Sequence, residues 1–208
     1  MKILAHRGYW LNEKEKNTRL AFERAFALGF GVETDIRDYK GRLVISHDVP
    51  GAGCMALDAF LALYVKHGGK GTLALNIKAD GLCSRLLPLL RRFSVTDYFV
   101  FDMSLPEQLC YSAEGFSVFA RQSEYEKEPL LYGGAKGVWM DEFGRRWITA
   151  RAVARHRRAR KKVCLVSPEL HKRPYAGAWA EFRRMDVKAR GGLLLCTDLP
   201  EKAREYFK

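Results

Sequence analysis

Short apolar or β-branched runs alternate with longer segments of helical periodicity along the whole chain, and this alternation limits the fold more than any other feature. Eight runs fit strands: Ile3–Ala5, Gly31–Ile36, Thr72–Ile77, Tyr98–Phe101, Ser117–Ala120, Gly137–Met140, Val163–Val166 and Leu193–Cys196. Near-continuous apolar character is what a parallel strand covered on both faces requires. A ninth run, Arg42–Ser46, follows a Lys40-Gly41 turn and is expected to pair as a hairpin with the second. The intervening helices carry their own punctuation. Asn17 is expected to cap the first, Gly29 to end it, and Leu20, Ala21, Ala25 and Leu28 to form its inner stripe. Asp58 precedes an apolar helix stopped by Gly68-Gly69, and Ser104-Leu105-Pro106-Glu107 has the spacing of a capping box. Thr149 stands as the cap of a basic helix, and Pro174 to Lys188 carries Trp179 and Phe182 at helical spacing before Gly191-Gly192 resets the chain into the last strand. Strict alternation predicts a parallel sheet with helices outside, and eight units predict closure into a (β/α)8 TIM-type barrel. An open parallel sheet is the alternative. The 208 residues fit one domain, 1–208, without room for an inserted second one.

The polar residues that interrupt this pattern fall at the C-terminal ends of strands, the catalytic face of such barrels. His6-Arg7-Gly8 ends the first strand and His47-Asp48 the hairpin strand. Glu33 and Asp35 lie two apart on the second strand, so both project from one face, and Asn76 and Lys78 leave the third in the same relation. Two carboxylates on one strand face form a hard-oxygen site suited to Mg²⁺ or Ca²⁺. Two histidines beside them supply an acid and a base, and arginine and lysine supply charge for a phosphate. Asp141, ending the sixth strand, is a candidate substrate contact, whereas His67, His156 and His171 read as structural.

Taken together these residues resemble the glycerophosphodiester phosphodiesterase family, a relative of the phosphatidylinositol-specific phospholipases C. The resemblance rests on H-R-G at His6–Gly8, N-T then A-F within Asn17–Phe22, E-x-D at Glu33–Asp35, Ser46-His47-Asp48, Lys78, and C-T-D-L-P at Cys196–Pro200. It implies a barrel that cleaves a phosphodiester of glycerol or a related polyol. His6 and His47 would be the acid/base pair, Glu33 and Asp35 ligands of a divalent metal, and Arg7 and Lys78 phosphate contacts. Two departures stand out. The family's third metal carboxylate is Asn76 here, which can still ligate through its amide oxygen, with Glu169 as an alternative ligand. The usual P-E-N-T is E-K-N-T at Glu15–Thr18, which brings Lys16 near the mouth.

Thirty-six Lys and Arg against 24 Asp and Glu give a net charge of +12, which favours anionic partners. The densest stretch, Arg151–Lys162, reads either as a solvated outer helix or as a contact for an anionic surface or polymer. No specific nucleic-acid partner is expected, because neither a nucleic-acid motif nor an aromatic-interleaved basic stripe occurs. A nucleic-acid-directed phosphodiesterase and a catalytically weakened barrel that binds a phosphorylated ligand are the competing functional readings. Five cysteines without a C-x-x-C pair read as buried hydrophobes, and the chain has neither an apolar leader nor a membrane-length apolar run. A cytoplasmic protein that is not integral to a membrane is expected.

Overall fold

In the computed structural model, which describes residues 1–188 and 192–208, eight parallel strands form a nearly closed barrel. They are β1 (Lys2–His6), β2 (Gly31–Tyr39), β4 (Leu73–Ile77), β5 (Tyr98–Phe101), β6 (Phe119–Gln122), β7 (Gly137–Met140), β8 (Lys162–Val166) and β9 (Leu193–Thr197); β3 (Arg42–Ile45) pairs antiparallel with β2. The hydrogen-bonded order is β5-β4-β2-β1-β9-β8-β7-β6. Its two ends meet at one parallel bridge, Val100 to Val118, where the Val100 amide donates to the Ser117 carbonyl at 2.9 Å. The Lys40-Gly41 turn into β3 has positive φ at both residues, 47° and 77°, as a tight hairpin turn requires.

Seven described helices flank the strands: α1 (Arg19–Ala27), α2 (Leu57–Lys66), α3 (Cys83–Arg92), α4 (Leu105–Ala113), α5 (Ala150–Arg158), α6 (Ala176–Lys188) and α7 (Pro200–Tyr206). None of the described helices is long and apolar enough to cross a membrane. The strict alternation expected from sequence fails once, since residues 123–136 between β6 and β7 form no helix. Side chains cover that gap instead. His156, on the inner face of α5 and fully buried, meets the Gln122 amide oxygen at 2.7 Å and the Tyr132 hydroxyl at 3.0 Å. Burial holds its pKa below the ordinary histidine value.

Other expectations shift locally. Thr18, not Asn17, caps α1, its hydroxyl accepting from the Ala21 amide. The inner stripe of α1 is Ala21, Phe22, Ala25 and Phe26, while Leu20 and Leu28 are exposed. Asp58 lies inside the first turn of α2 rather than before it, and β6 begins two residues later than expected. The basic helix stops at Arg158, and Lys162 already belongs to β8. Gly191, expected to help turn the chain into the last strand, lies outside the described residues.

The strand register divides each strand into an inward and an outward face. Outward residues pack under the helices. Inward residues Leu4, Ala74, Phe99, Phe101, Phe119, Trp139, Cys164, Val166, Leu194 and Cys196 form a separate apolar cluster inside the barrel. Phe119 stacks on Phe99 at 3.8 Å between ring centroids and occupies the space beside Gly137, where a Cβ would lie 2.4 Å from its ring. Phe101 stacks on Trp139 at 4.1 Å. Above this apolar layer the inward positions turn polar. His6 registers with Glu33, and Asp35 with Asn76. The mouth is therefore a polar layer on an apolar floor.

Candidate active site

A cavity of about 290 Å³ opens at this mouth, and all eight residues singled out from the sequence line it: His6, Arg7, Glu33, Asp35, His47, Asn76, Lys78 and Asp141. The H-R-G turn sets the first two. Arg7 has φ 55° and Gly8 φ 84°, and a Cβ on Gly8 would lie 2.8 Å from that of Ala21, so only glycine lets α1 pack this closely against β1.

Three residues outside the expected set organise the site. The Asp198 carboxylate accepts a hydrogen bond from His6 Nδ1 at 2.7 Å. An ionised carboxylate has no proton to give, so Nδ1 carries the hydrogen and Nε2 is left to exchange a proton; it lies 3.8 Å from Glu33 Oε2. The C-T-D-L-P sequence held this partner, but nothing in its spacing tied it to His6, 192 residues away. Asn17, freed from capping by a φ of 59°, donates to Asp35 at 2.8 Å and accepts from the Thr34 hydroxyl at 2.8 Å. Asp102 accepts from Lys78 at 3.1 Å and from Arg121 at 2.7 Å. His47 is arranged like His6 but in the open. Its Nδ1 donates to Asp48 at 2.8 Å and the ring is 42% exposed, against 15% for His6.

Glu33 and Asp35 are buried, and their environments differ. Asp35 is neutralised by Arg7 Nε at 3.3 Å and Lys78 Nζ at 3.7 Å. Glu33 has no cation that close, and burial, then the Asp35 charge, push its carboxyl up to about 7. Glu33 Oε2 and Asn76 Oδ1 are both buried without a hydrogen-bond partner. Among the described residues no three His, Cys, Asp or Glu side chains are grouped as metal ligands; the Asn76 amide oxygen stands beside Asp35 on the neighbouring strand. Orphaned hard oxygens next to an under-neutralised carboxylate fit a divalent cation. Glu169, the alternative ligand, does not line the cavity. Its carboxylate accepts from the Ser167 and Thr197 hydroxyls and from the Asp198 amide, which fixes the turn that carries Asp198.

Across the mouth, Asp141 accepts from His171 Nε2 at 2.7 Å, and this bond raises the His171 pKa. Phe143 packs on the His171 ring at 4.9 Å. Lys16, displaced to the side, lies over the Trp10 ring at 4.4 Å and lines a neighbouring groove that shares Arg7 and His47 with the main cavity.

No protein-family model matches the sequence, and a search of curated proteins gives no match. Solved structures do match over nearly the whole chain. A Galdieria sulphuraria protein provisionally assigned as a glycerophosphodiester phosphodiesterase superposes with TM-score 0.78 at 18% identity, covering 99% of this chain and 97% of that one. An Oleispira antarctica phosphodiesterase, solved with its product sn-glycerol-3-phosphate, gives 0.72 at 15% identity, covering 99% and 96%. A Ca²⁺-dependent phosphatidylinositol-specific phospholipase C from Streptomyces antibioticus gives 0.61 at 10% identity, covering 100% and 96%. At these identities the likeness establishes the barrel fold.

Proposed function

We propose that this barrel is a phosphoric diester hydrolase that cleaves a phosphodiester of glycerol or a related polyol, with His6 and His47 as acid and base. The observation that carries this reading is the meeting in one cavity of two histidines, each with Nδ1 held by an aspartate, and a pair of buried carboxylates flanked by Arg7 and Lys78. One histidine removes a proton from an internal hydroxyl, whose oxygen bonds to the phosphorus to close a cyclic phosphate while the other histidine protonates the leaving alkoxide. With the two roles exchanged, water is deprotonated and the ring oxygen protonated, which opens the cyclic phosphate to the phosphomonoester. Arg7 and Lys78 are already drawn to Asp35, and they place positive charge where the non-bridging oxygens of a phosphate would sit. Glu33, Asp35 and the Asn76 amide would hold Mg²⁺ or Ca²⁺, which when bound would offset charge on those oxygens. Asp141 and its partner His171 form the opposite wall, where they would contact the alcohol portion. A protein with this chemistry needs no membrane span, and the cytoplasm is the compartment we assign it.

The test is turnover on a panel of glycerophosphodiesters, with EDTA and then metal added back. Metal-dependent release of an alcohol and a phosphomonoester is expected. A folded protein that binds these diesters and releases nothing, with or without metal, would instead support a barrel that only binds.

A further inference from the structure

The charge of +12 is not spread evenly over the barrel. In this fold, segments that follow strands gather at the mouth, and segments that lead from a helix into the next strand gather at the opposite end. At the mouth, residues 7–18, 40–41, 46–56, 78–82, 102–104, 123–130, 141–149, 167–175 and 198–199 hold ten Lys or Arg against twelve Asp or Glu. At the far end, the described residues 28–30, 65–72, 91–98, 114–118, 131–137 and 157–162 hold ten against two, Asp97 and the exposed Glu114. Eight of those ten are exposed, and Arg157 and Lys161 are half-buried. Among the described residues none of the ten pairs with a carboxylate, and Asp97 is taken by Lys2 at 3.5 Å and the Thr72 hydroxyl at 2.8 Å. The partial negative charge at helix C-termini accounts for cations in the last turns, such as Lys66, Arg91 and Arg158. It does not account for Lys70, Lys136 or Arg160 to Lys162, which lie beyond the helix ends.

We propose that the far end of the barrel is a docking face for an anionic lipid bilayer, which leaves the mouth turned away from the membrane toward solution. The cations sit at the ends of α2, α3 and α5 and ahead of β7, so they come from several corners of one end rather than from a stripe along one side. A plane can meet all of these corners at once, and a thread cannot. Val65 and Val187, 46% and 73% exposed at the ends of α2 and α6, add aliphatic contact at headgroup depth. Single-stranded nucleic acid is disfavoured, because the aromatic residues at this end, including Phe93, Tyr98, Tyr132 and Tyr206, pack against the core. The exposed aromatics Tyr125 and Phe143 belong to the mouth segments. Docking in this orientation means that the cavity takes its ligand from the aqueous phase and not from the bilayer it rests on.

Vesicle sedimentation tests this without reference to turnover. The wild-type chain should sediment with vesicles of about 30% phosphatidylserine at about 0.1 M salt, release at about 1 M, and ignore pure phosphatidylcholine. Each Lys or Arg near an anionic leaflet is worth roughly fivefold in partitioning, so Arg158→Gln, Arg160→Gln and Lys162→Gln together should weaken binding roughly a hundredfold. The singles Arg158→Gln and Lys162→Gln, expected at roughly fivefold each, keep the test intact if the triple variant misfolds. Removing the same charge at the mouth, through Lys127→Gln, Arg145→Gln and Arg146→Gln, should leave binding within about threefold. Equal losses from both triple variants would show that total charge and not its placement matters, and would overturn the proposal. So would failure of the wild type to bind anionic vesicles, or duplex RNA held more tightly than the vesicles at the same salt.

Discussion

The two sides of the mouth use the same residue types to opposite ends. On the side built by β1, β2 and β4, Glu33 Oε2, Asn76 Oδ1 and Arg7 Nε are buried without hydrogen-bond partners. On the side built by β6, β7 and β8, more of the carboxylate oxygens are tied off, although Glu142 Oε2 is also buried without a partner. Glu124 accepts from the amides of Phe143, Gly144 and Arg145, and Glu142 from those of Trp147 and Ile148, both at 2.8 Å. Asp141 has His171 and the Glu142 amide. Buried polar groups left unsatisfied are destabilising, and a fold retains them where a ligand completes them. Satisfied ones hold loops in place. On the proposed function, the first side receives the ligand and the second supports the wall around it.

The sharpest way to break this contrast is to compare histidines across the mouth. His6→Ala and His47→Ala should each lower turnover between about 10² and 10⁴-fold, because each serves a different proton transfer. His171→Ala should lower it by less than about tenfold, since its ring is committed to Asp141 and not to a reacting atom. Equal losses at His6 and His171 would erase the distinction.

Next in size is the stability stored in Glu33. Its carboxyl titrates near 7 in the folded chain against an ordinary 4.5. Between those values the folded state keeps a proton that the unfolded state has released, so the stability of metal-free protein falls as pH rises through this window. The fall is on the order of 3 kcal/mol. Melting in EDTA from about pH 5 to about pH 8 should show it, and Glu33→Gln should remove most of the slope while abolishing turnover. A flat profile in the wild type would mean that the site is already compensated. On the other side, Glu142→Ala strands two buried amides and should cost about 2 kcal/mol in denaturant unfolding without a comparable change in kcat. The smallest effect is expected at Asn76→Glu, which adds a charge at ligand distance and should tighten Mg²⁺ or Ca²⁺ about tenfold in the absence of substrate, read by calorimetry. Unchanged affinity would remove Asn76 from the metal's surroundings.

The first side of the mouth was far more legible in the sequence than the second. His6, Glu33, Asp35, Asn76 and Lys78 sit on or next to strands, where a period of two fixes which face a side chain takes. Their convergence on one cavity follows once the strands are placed. Asp198 and Asp102 follow strand ends and act on partners from other strands, and no local pattern links them to His6 or Arg121. Asn17 looked like a cap because asparagine commonly is one; tertiary hydrogen bonds to Thr34 and Asp35 claimed it, and its neighbour Thr18 took the role. The gap between β6 and β7 was hidden because His156 and Tyr132, which cover it, lie in separate segments that no local pattern joins. The early start expected for β6 took in Ser117 and Val118, and Val118 is buried like a strand residue but bridges β5 only once.

That single bridge makes the barrel a hoop with a clasp. Elsewhere around the circumference neighbouring strands run in continuous ladders, but between β5 and β6 the ring is fastened by one rung, by the stacked rings of Phe99 and Phe119, and above them by the Asp102–Arg121 ion pair. Asp102 is also the residue that holds Lys78. An anion that draws Arg121 toward itself would loosen the catch as it settles, and its departure would let the catch close again. The hoop would thus give at one point of its circumference, and the contents of the mouth would set the tension there.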